Sequence, residues 1–249
     1  MIANPLFSRQ SKTKGFTLLE LLIVITILAI LAVIIIFVLN PAETLKKSRD
    51  VQRMSDLATL KNSIALYMTT VSSPTLASTD DTGTARTNFS NTACQDTAVG
   101  TFATGSDRIY YSLASAGGDG TEITDLTLDD TTFTTTFGAT QVTSANNSLT
   151  DGLGWIPVKL SNIVGGSPIS NLPTDPTNTV ATVSTVAFTD LVYRYACSNV
   201  SGILNYEINA RLESTEFASK MTQDGGDNAS LYESGTSVLI LGPGSTDQF

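Results

Sequence analysis

Glu20 is a single carboxylate at the start of a long apolar stretch. The nineteen residues from Leu21 to Leu39 carry no charge, and Thr26 is the only polar residue among them. As an α-helix rising about 1.5 Å per residue, this stretch covers most of a hydrocarbon layer about 30 Å thick. A charged group within a membrane span is costly and by default indicates a function. Glu20 lies one turn from the expected helix start, where the helix dipole lowers that cost.

The residues on either side of this stretch do not match a secretory signal peptide. Such a peptide places its apolar region before the cleavage site and ends with small residues. Residues 1–15 contain no apolar region of that kind, and Phe37–Pro41 offers no small-residue cleavage pattern. We therefore expect the apolar segment to remain attached to the mature protein.

The run Gly15-Phe16-Thr17-Leu18-Leu19-Glu20 follows a short basic leader. This pattern resembles the prepilin signal of type IV pilins and type II secretion pseudopilins. The resemblance implies that the prepilin peptidase and N-methyltransferase of the inner membrane cuts between Gly15 and Phe16, and then methylates the new amine of Phe16. Glycine suits a cleavage site because it has no side chain to block access to its carbonyl.

The resemblance also implies an assembly role for Glu20. In this role the Glu20 carboxylate of an incoming subunit pairs with the Phe16 amine of a neighbour, which removes two uncompensated charges together. Within one helix, however, the same two groups are i,i+4 neighbours and could pair locally. The sequence leaves both arrangements open.

Composition narrows the functional classes. The 249-residue chain has a net charge of −9, and the basic residues of the leader are Arg9, Lys12 and Lys14. Without the leader, 11 basic residues face 23 acidic ones, a net charge of −12. There is no strong nucleic-acid signal, because such proteins usually have a basic face. The chain also lacks histidine, which removes Ser-His-Asp and Cys-His catalysis. We expect no enzyme, and no spacing singles out a carboxylate pair for an anchored hydrolase.

Cys94 and Cys197 are the two cysteines of the chain. Two thiols are too few for a tetrahedral zinc site. Outside the membrane they could form one disulfide, whose loop of roughly 100 residues would contribute about 4 to 5 kcal/mol in the chain-entropy model. The alternative is a pair of buried free thiols.

The pattern predicts an α+β protein in which a long N-terminal α-helix, its first half transmembrane, packs on a small antiparallel β-sheet. We expect five segments: a leader, a transmembrane or filament-core helix, an amphipathic helix, a Thr/Ser/Gly-rich insertion and a C-terminal β-rich pilin-like region. Their ranges are 1–15, 16–39, 40–71, 72–154 and 155–249.

The amphipathic helix has its own periodicity. Asn40-Pro41 predicts either a restart, with Asn40 as N-cap, or a kink in one long helix. Apolar residues then recur at helical spacing and predict a seam against the following domain. They are Met54, Leu57, Ala58, Ile64, Ala65, Met68 and Val71. The charged residues of this helix, among them Asp50 and Arg53, are expected largely on its other faces.

The C-terminal region has alternating runs at Leu191–Cys197 and Leu204–Ala210 that predict an antiparallel hairpin. With the Asp-Pro turn before them, they resemble the C-terminal region of major pseudopilins. We expect a final strand over Thr236–Leu241.

In the loop before this expected strand, Asp224 and Asp227 lie where the major pseudopilin family places a calcium-binding loop. Oxygen ligands around glycines suit Ca²⁺, and a solvated turn without an ion is the alternative.

The resulting functional expectation is a structural subunit of a type IV pilus-like or type II secretion pseudopilus filament. Its partners would be the processing peptidase, other pilin subunits and the inner membrane. Before assembly it would span the membrane once, with the C-terminal domain outside the cytoplasm. The alternative is a monomeric membrane-anchored adhesin that binds through the insertion at 72–154.

Overall fold

A computed structural model of the chain describes residues 15–78, 88–95, 109–112, 123–124, 136–137, 146–178 and 189–241. The chain divides into two units, Met1–Thr44 and Leu45–Phe249. Most of the predicted insertion at 72–154 lies outside the described residues. The two units are taken in turn.

The first helix, α1, spans Leu18–Leu39. Thr17 caps its start with its side-chain oxygen, and Asn40 ends it in a left-handed conformation with φ 37°. Asn40 then accepts the backbone N–H of Glu43 at its Oδ1, 3.4 Å away, at the start of the second helix, α2, which spans Pro41–Thr70. The chain therefore restarts its helix at Asn40-Pro41, the first of the two predicted arrangements. Pro41 fits the first helical position because no N–H is needed there.

Every described side chain of α1 is exposed within the chain. From Leu18 to Ile36 the helix is long and apolar enough to cross a membrane, and none of that stretch is buried. This agrees with the span predicted from the sequence.

Helix α2 buries one face. Leu57 and Ile64 of the predicted seam are buried, together with Leu60 and Tyr67, which the prediction did not include. Ala58 of the predicted seam is exposed. The expectation for the charged residues is wrong in part, because Asp50 and Arg53 are both fully buried. They turn inward because their ion-pair partners lie inside the unit.

A four-stranded sheet provides the other layer of the second unit. Its strands are β1 (Ile109–Tyr111), β4 (Tyr193–Val200), β5 (Ile203–Ala210) and β6 (Tyr232–Gly235). They lie in the order β1-β4-β5-β6, and every pairing is antiparallel. A separate two-stranded ladder joins β2 (Ile123–Thr124) and β3 (Thr136–Phe137). A short helix, α3 (Ala218–Met221), precedes β6. The α+β fold class and the predicted hairpin, formed by β4 and β5, are thus confirmed.

The core contains the buried face of α2 and the aromatic side chains of the sheet. Tyr193, Tyr195 and Tyr206 are fully buried and belong to the same apolar cluster as Leu57 and Trp155. Buried phenols need hydrogen-bond partners. Tyr206 meets this need by donating its hydroxyl to the carbonyl of Lys61 in α2, at 2.8 Å.

The predicted final strand at Thr236–Leu241 is wrong, because these residues form no strand and the last strand up to residue 241 is β6. The backbone N–H groups of Ile240 and Leu241 are bound by the Glu207 carboxylate, at 2.8 and 3.1 Å. A side chain thus supplies the acceptor that a neighbouring strand would have supplied.

Candidate functional site: the N-terminal helix and the charged clusters

Thr17 and Glu20 form a capping box at the start of α1. The hydroxyl oxygen of Thr17 accepts the backbone N–H of Glu20 at 3.2 Å. In return, Oε2 of Glu20 accepts the backbone N–H of Thr17 at 3.1 Å and its hydroxyl at 3.0 Å. Two otherwise unsatisfied N–H groups of the first turn gain partners in this way. Glu20 therefore has a local role that the sequence analysis missed, although Thr-x-x-Glu is the signature of such a box.

Gly15 and Phe16 precede this box. A Cβ placed on Gly15 would meet nothing within 4 Å, and Phe16 is 76% exposed. The bond between them is therefore uncovered by the rest of the described chain. In the unprocessed chain the nitrogen of Phe16 is an amide, so Glu20 has no ammonium partner in its own helix.

Arg53 lies at the centre of a buried ion-pair cluster. Its Nε and Nη2 donate to the two oxygens of Asp175, at 2.6 and 2.9 Å. Its Nη1 lies 2.8 Å from an Asp50 oxygen and 2.7 Å from a Glu213 oxygen. Arg49 donates two more bonds to Glu213, at 2.8 and 2.6 Å. Asp50 in turn accepts the backbone N–H groups of Glu213 and Ser214, at 2.9 and 2.7 Å.

This cluster fixes α2 to the Asp175 turn and to the chain that leaves β5. The bonds from Arg49, and then those from Arg53, lower the pKa of Glu213 to about 2 despite partial burial. Burial alone would lower the pKa of Arg53, but the bonds to Asp175, Glu213 and Asp50 outweigh it and raise that pKa. Every charged group of this cluster has an ion-pair partner, so none is free for chemistry.

Glu207 and Glu233 form a second buried acidic pair. Their register places them diagonally on one face of β5 and β6, because Glu207 pairs with Gly235 and Asn209 pairs with Glu233. Burial raises the pKa of both, and the Glu207 charge raises that of Glu233 further. The pair is 0% and 3% exposed, so a substrate would have no access to it. Both carboxylates accept backbone N–H groups. Glu207 accepts those of Ile240 and Leu241, and Glu233 accepts the N–H of Asn228 at 3.1 Å.

Asp224 and Asp227 lie in the loop before β6. Asp224 accepts the N–H of Gly226 at Oδ1, 3.0 Å away, and the N–H of Glu233 at Oδ2, 2.8 Å away. The Asp227 Oδ1 is buried without a hydrogen-bond partner. Calcium takes six to eight oxygen ligands. In the described part of the chain, no three acidic, His or Cys side chains are grouped to hold a metal. The calcium site at Asp224 and Asp227 therefore stays a prediction.

Cys94 and Cys197 are joined in a disulfide, with their Cα atoms 4.8 Å apart and 103 residues between them in sequence. Both are fully buried. The bond ties the segment at 88–95 to β4, next to the hydrogen bonds that Gln95 makes with Cys197 and Asn199. Of the two states that the sequence left open, the structure has the disulfide.

The predicted site residues are therefore distributed over both units. Gly15, Phe16 and Glu20 belong to the first unit, and the disulfide and the Asp224 loop belong to the second. Together the two units define a class: an α+β protein whose N-terminal helix is exposed, apolar and long enough to span a membrane.

Comparison with known families makes this class more specific. Residues 10–36 match the family model described as the prokaryotic N-terminal methylation motif, the signature of type IV pilins and pseudopilins. The motif implies a pilin-like protein that the prepilin peptidase processes, and the proteins that carry it are structural. No curated protein and no solved structure matches the chain.

Proposed function

We propose that this chain is a structural subunit of a filament, either a type IV pilus-like filament or a type II secretion pseudopilus. The prepilin peptidase cuts it between Gly15 and Phe16 and methylates the new amine. The processed subunit waits in the inner membrane as a single-pass protein and assembles through α1 with other pilin subunits. The C-terminal unit lies outside the cytoplasm.

The observation that carries this proposal is the coincidence of the methylation motif with the exposed start of α1. The match covers the exposed Gly15-Phe16 bond, Glu20 and the apolar helix up to Ile36. The apolar surface of that helix must be covered by lipid or by other apolar helices, because its own subunit leaves it exposed. Lipid and a bundle of helices are similarly apolar, so packing and charge pairing can decide between the two states.

The disulfide supports the assignment of the C-terminal unit to the outside. Disulfides persist in oxidising compartments such as the periplasm and are rare in the cytoplasm. A single span with its leader in the cytoplasm delivers Cys94 and Cys197 to such a compartment.

Intact mass and N-terminal sequence of the full chain, extracted from its native cell, test the proposal. We expect the chain to begin at Phe16 and to carry one extra methyl group. Gly15→Val is the matched control, because a branched side chain beside the scissile carbonyl should prevent cleavage and leave the leader in place. A wild-type chain that retains its leader would instead favour an ordinary anchored protein and direct attention to the adhesin alternative.

Filaments sheared from the cells then test assembly. We expect the methylated form to be in the filament fraction and uncleaved Gly15→Val to remain in the membrane fraction. Loss of secretion in a deletion strain would indicate a pseudopilus, and surface fibres without a secretion defect would indicate a pilus.

A further inference from the structure

A cleft of about 330 Å³ opens on the second unit between α2, α3 and β6. Lys61 of α2 and Lys220 of α3 line it, together with Gln223 and Asp224 after α3. Tyr232, Glu233 and Ser234 of β6 complete the lining. Two ammonium groups from separate helices therefore face one solvent-open cleft.

These two lysines are unusual among the basic side chains of the described residues. Lys47 pairs with Glu216, Arg49 and Arg53 pair with carboxylates, and Lys159 lies over the ring of Phe89. Lys46, Arg194 and Arg211 also take part in interactions. Within this described part of the chain, Lys61 and Lys220 are the basic side chains without an ion pair, a hydrogen bond or a ring contact, and both line the same cleft.

The acidic residues near the cleft do not neutralise both lysines. Asp224 directs both carboxylate oxygens to the backbone N–H groups of Gly226 and Glu233. Side chains alternate along a strand, so Tyr232 and Ser234 share one face of β6 and Glu233 has the other. The Glu233 carboxyl there accepts the N–H of Asn228. Burial and the Glu207 charge also raise the pKa of the Glu233 carboxyl, which favours its uncharged form. The two ammonium groups therefore face one charged carboxylate, that of Asp224, and the hydroxyls of Tyr232 and Ser234 are further donors.

A positive cleft is exceptional on this chain, because 23 acidic residues face 11 basic ones after the leader. Copies of such a subunit repel one another unless acidic side chains of one copy meet basic groups of the next. We propose that Lys61 and Lys220 form a docking site for a carboxylate side chain of a second copy of this chain. The inference rests on the proposed filament function and adds the surface through which the folded units make contact.

Carbodiimide cross-linking of filaments tests the site directly. The reagent activates a carboxylate, a lysine amine within contact distance displaces the activated group as a urea, and an amide bond remains. Filaments are assembled in cells from a mixture of ¹⁴N and ¹⁵N full-length chains, so that mass spectrometry distinguishes bonds within a copy from bonds between copies. We expect amides from Lys61 or Lys220 to an Asp or Glu of the other isotope, and the peptide identifies that acid.

Matched variants separate the effect of the lysine charge on assembly from the ability of the amine to cross-link. Lys61→Gln with Lys220→Gln should reduce filament yield several-fold at low salt and flatten its dependence on salt, because the paired charges are gone. Lys61→Arg with Lys220→Arg should rescue the yield while abolishing the cross-link, since a guanidinium does not couple. Lys47→Gln is the control, because Lys47 pairs with Glu216 of its own unit, and its yield should equal that of the wild type.

Two results would overturn the inference alone. One is a processed, assembled wild type whose Lys61 and Lys220 cross-link only within their own copy or not at all. The other is a double glutamine variant that assembles like the wild type at every salt concentration. A wild type that keeps its leader and forms no filaments would instead refute the proposed function, and the docking site with it.

Discussion

The charged side chains at the start of α1 and in the buried part of α2 differ in where their partners lie. Helix α1 is apolar throughout and exposed, and the carboxylate of Glu20 at its start has no cationic partner in its own helix. Helix α2 is polar overall, yet it buries Arg53 among three carboxylates of its own unit. The buried charges of α2 are therefore paired inside their own unit, whereas the proposed partner of Glu20 is the Phe16 amine of a neighbouring copy. A change at Glu20 should affect assembly, and a change at Arg53 should affect stability.

The largest expected effect comes from Glu20→Val. Membrane insertion should be retained, because a more apolar span inserts at least as well. Filament yield should fall at least tenfold, because the proposed charge pair with the Phe16 amine of a neighbour is lost. The thermal midpoint of the second unit should stay unchanged. Shearing, membrane fractionation and calorimetry of the detergent-solubilised chain measure the three quantities.

Two further variants separate the charge of Glu20 from its capping role. Glu20→Gln removes the charge but keeps a side chain that can complete the capping box, whereas Thr17→Ala weakens the box and keeps the charge. If charge pairing drives assembly, Glu20→Gln behaves like Glu20→Val, and Thr17→Ala still assembles. Normal filaments from Glu20→Gln would show that helix capping is the role of Glu20. Glu20 would then have no need of a charged partner in a neighbouring copy.

The contrast also explains what the sequence could predict. Helix α1 was predictable because its extent depends on local features: an uncharged apolar run, and Asn40-Pro41 at its end. Its cap at Thr17 was missed, although the Thr-x-x-Glu pattern is just as local. The burial of Asp50 and Arg53 was not, because helical periodicity assigns charged residues to solvent. Their partners lie far along the chain, with Asp175 122 residues beyond Arg53 and Glu213 163 residues beyond Asp50. Only the tertiary fold brings such groups together.

The same reason applies at the end of the sheet. The apolar run Thr236–Leu241 has the composition of a strand, but the Glu207 carboxylate binds the N–H groups of Ile240 and Leu241. Periodicity identifies residues that prefer a strand, and it does not show which acceptor their backbone finds. The disulfide was one of two states compatible with the cysteine count, and packing of the 88–95 segment beside β4 decided between them.

Arg53→Met should give the second-largest effect, now on stability. Asp50 and Asp175 are fully buried, and removal of the shared cation leaves their charges uncompensated, which costs about 3 to 5 kcal/mol. Urea unfolding of the full chain in detergent, followed by the fluorescence of Trp155, measures the loss. Arg49→Met is the matched control, because the Arg49 side chain is 32% exposed and such a partly exposed pair contributes about 1 kcal/mol or less. Equal losses of unfolding free energy in Arg53→Met and Arg49→Met would contradict the prediction that the buried arginine matters more.

The smallest predicted effect is an acid-dependent loss of stability through Glu213. Its pKa is lowered from the usual 4.5 to about 2 in the fold. A lowered pKa stabilises the folded state above the unfolded value, so this contribution is complete above about pH 4.5 and is lost as the pH falls towards 2. Because solvent screens the partly exposed pair with Arg49, we expect a contribution of about 1 kcal/mol or less.

The Glu213→Gln variant isolates this contribution. The raised pKa values of Glu207 and Glu233 give the opposite dependence, a stability present at low pH and lost as the pH rises, and both proteins share it. The difference in unfolding free energy between wild type and Glu213→Gln should therefore shrink between pH 5 and pH 2. A constant difference would mean that the Arg49 and Arg53 bonds to Glu213 do not favour its charged form, and the interpretation of the Arg53 cluster as internally paired would fail at this carboxylate.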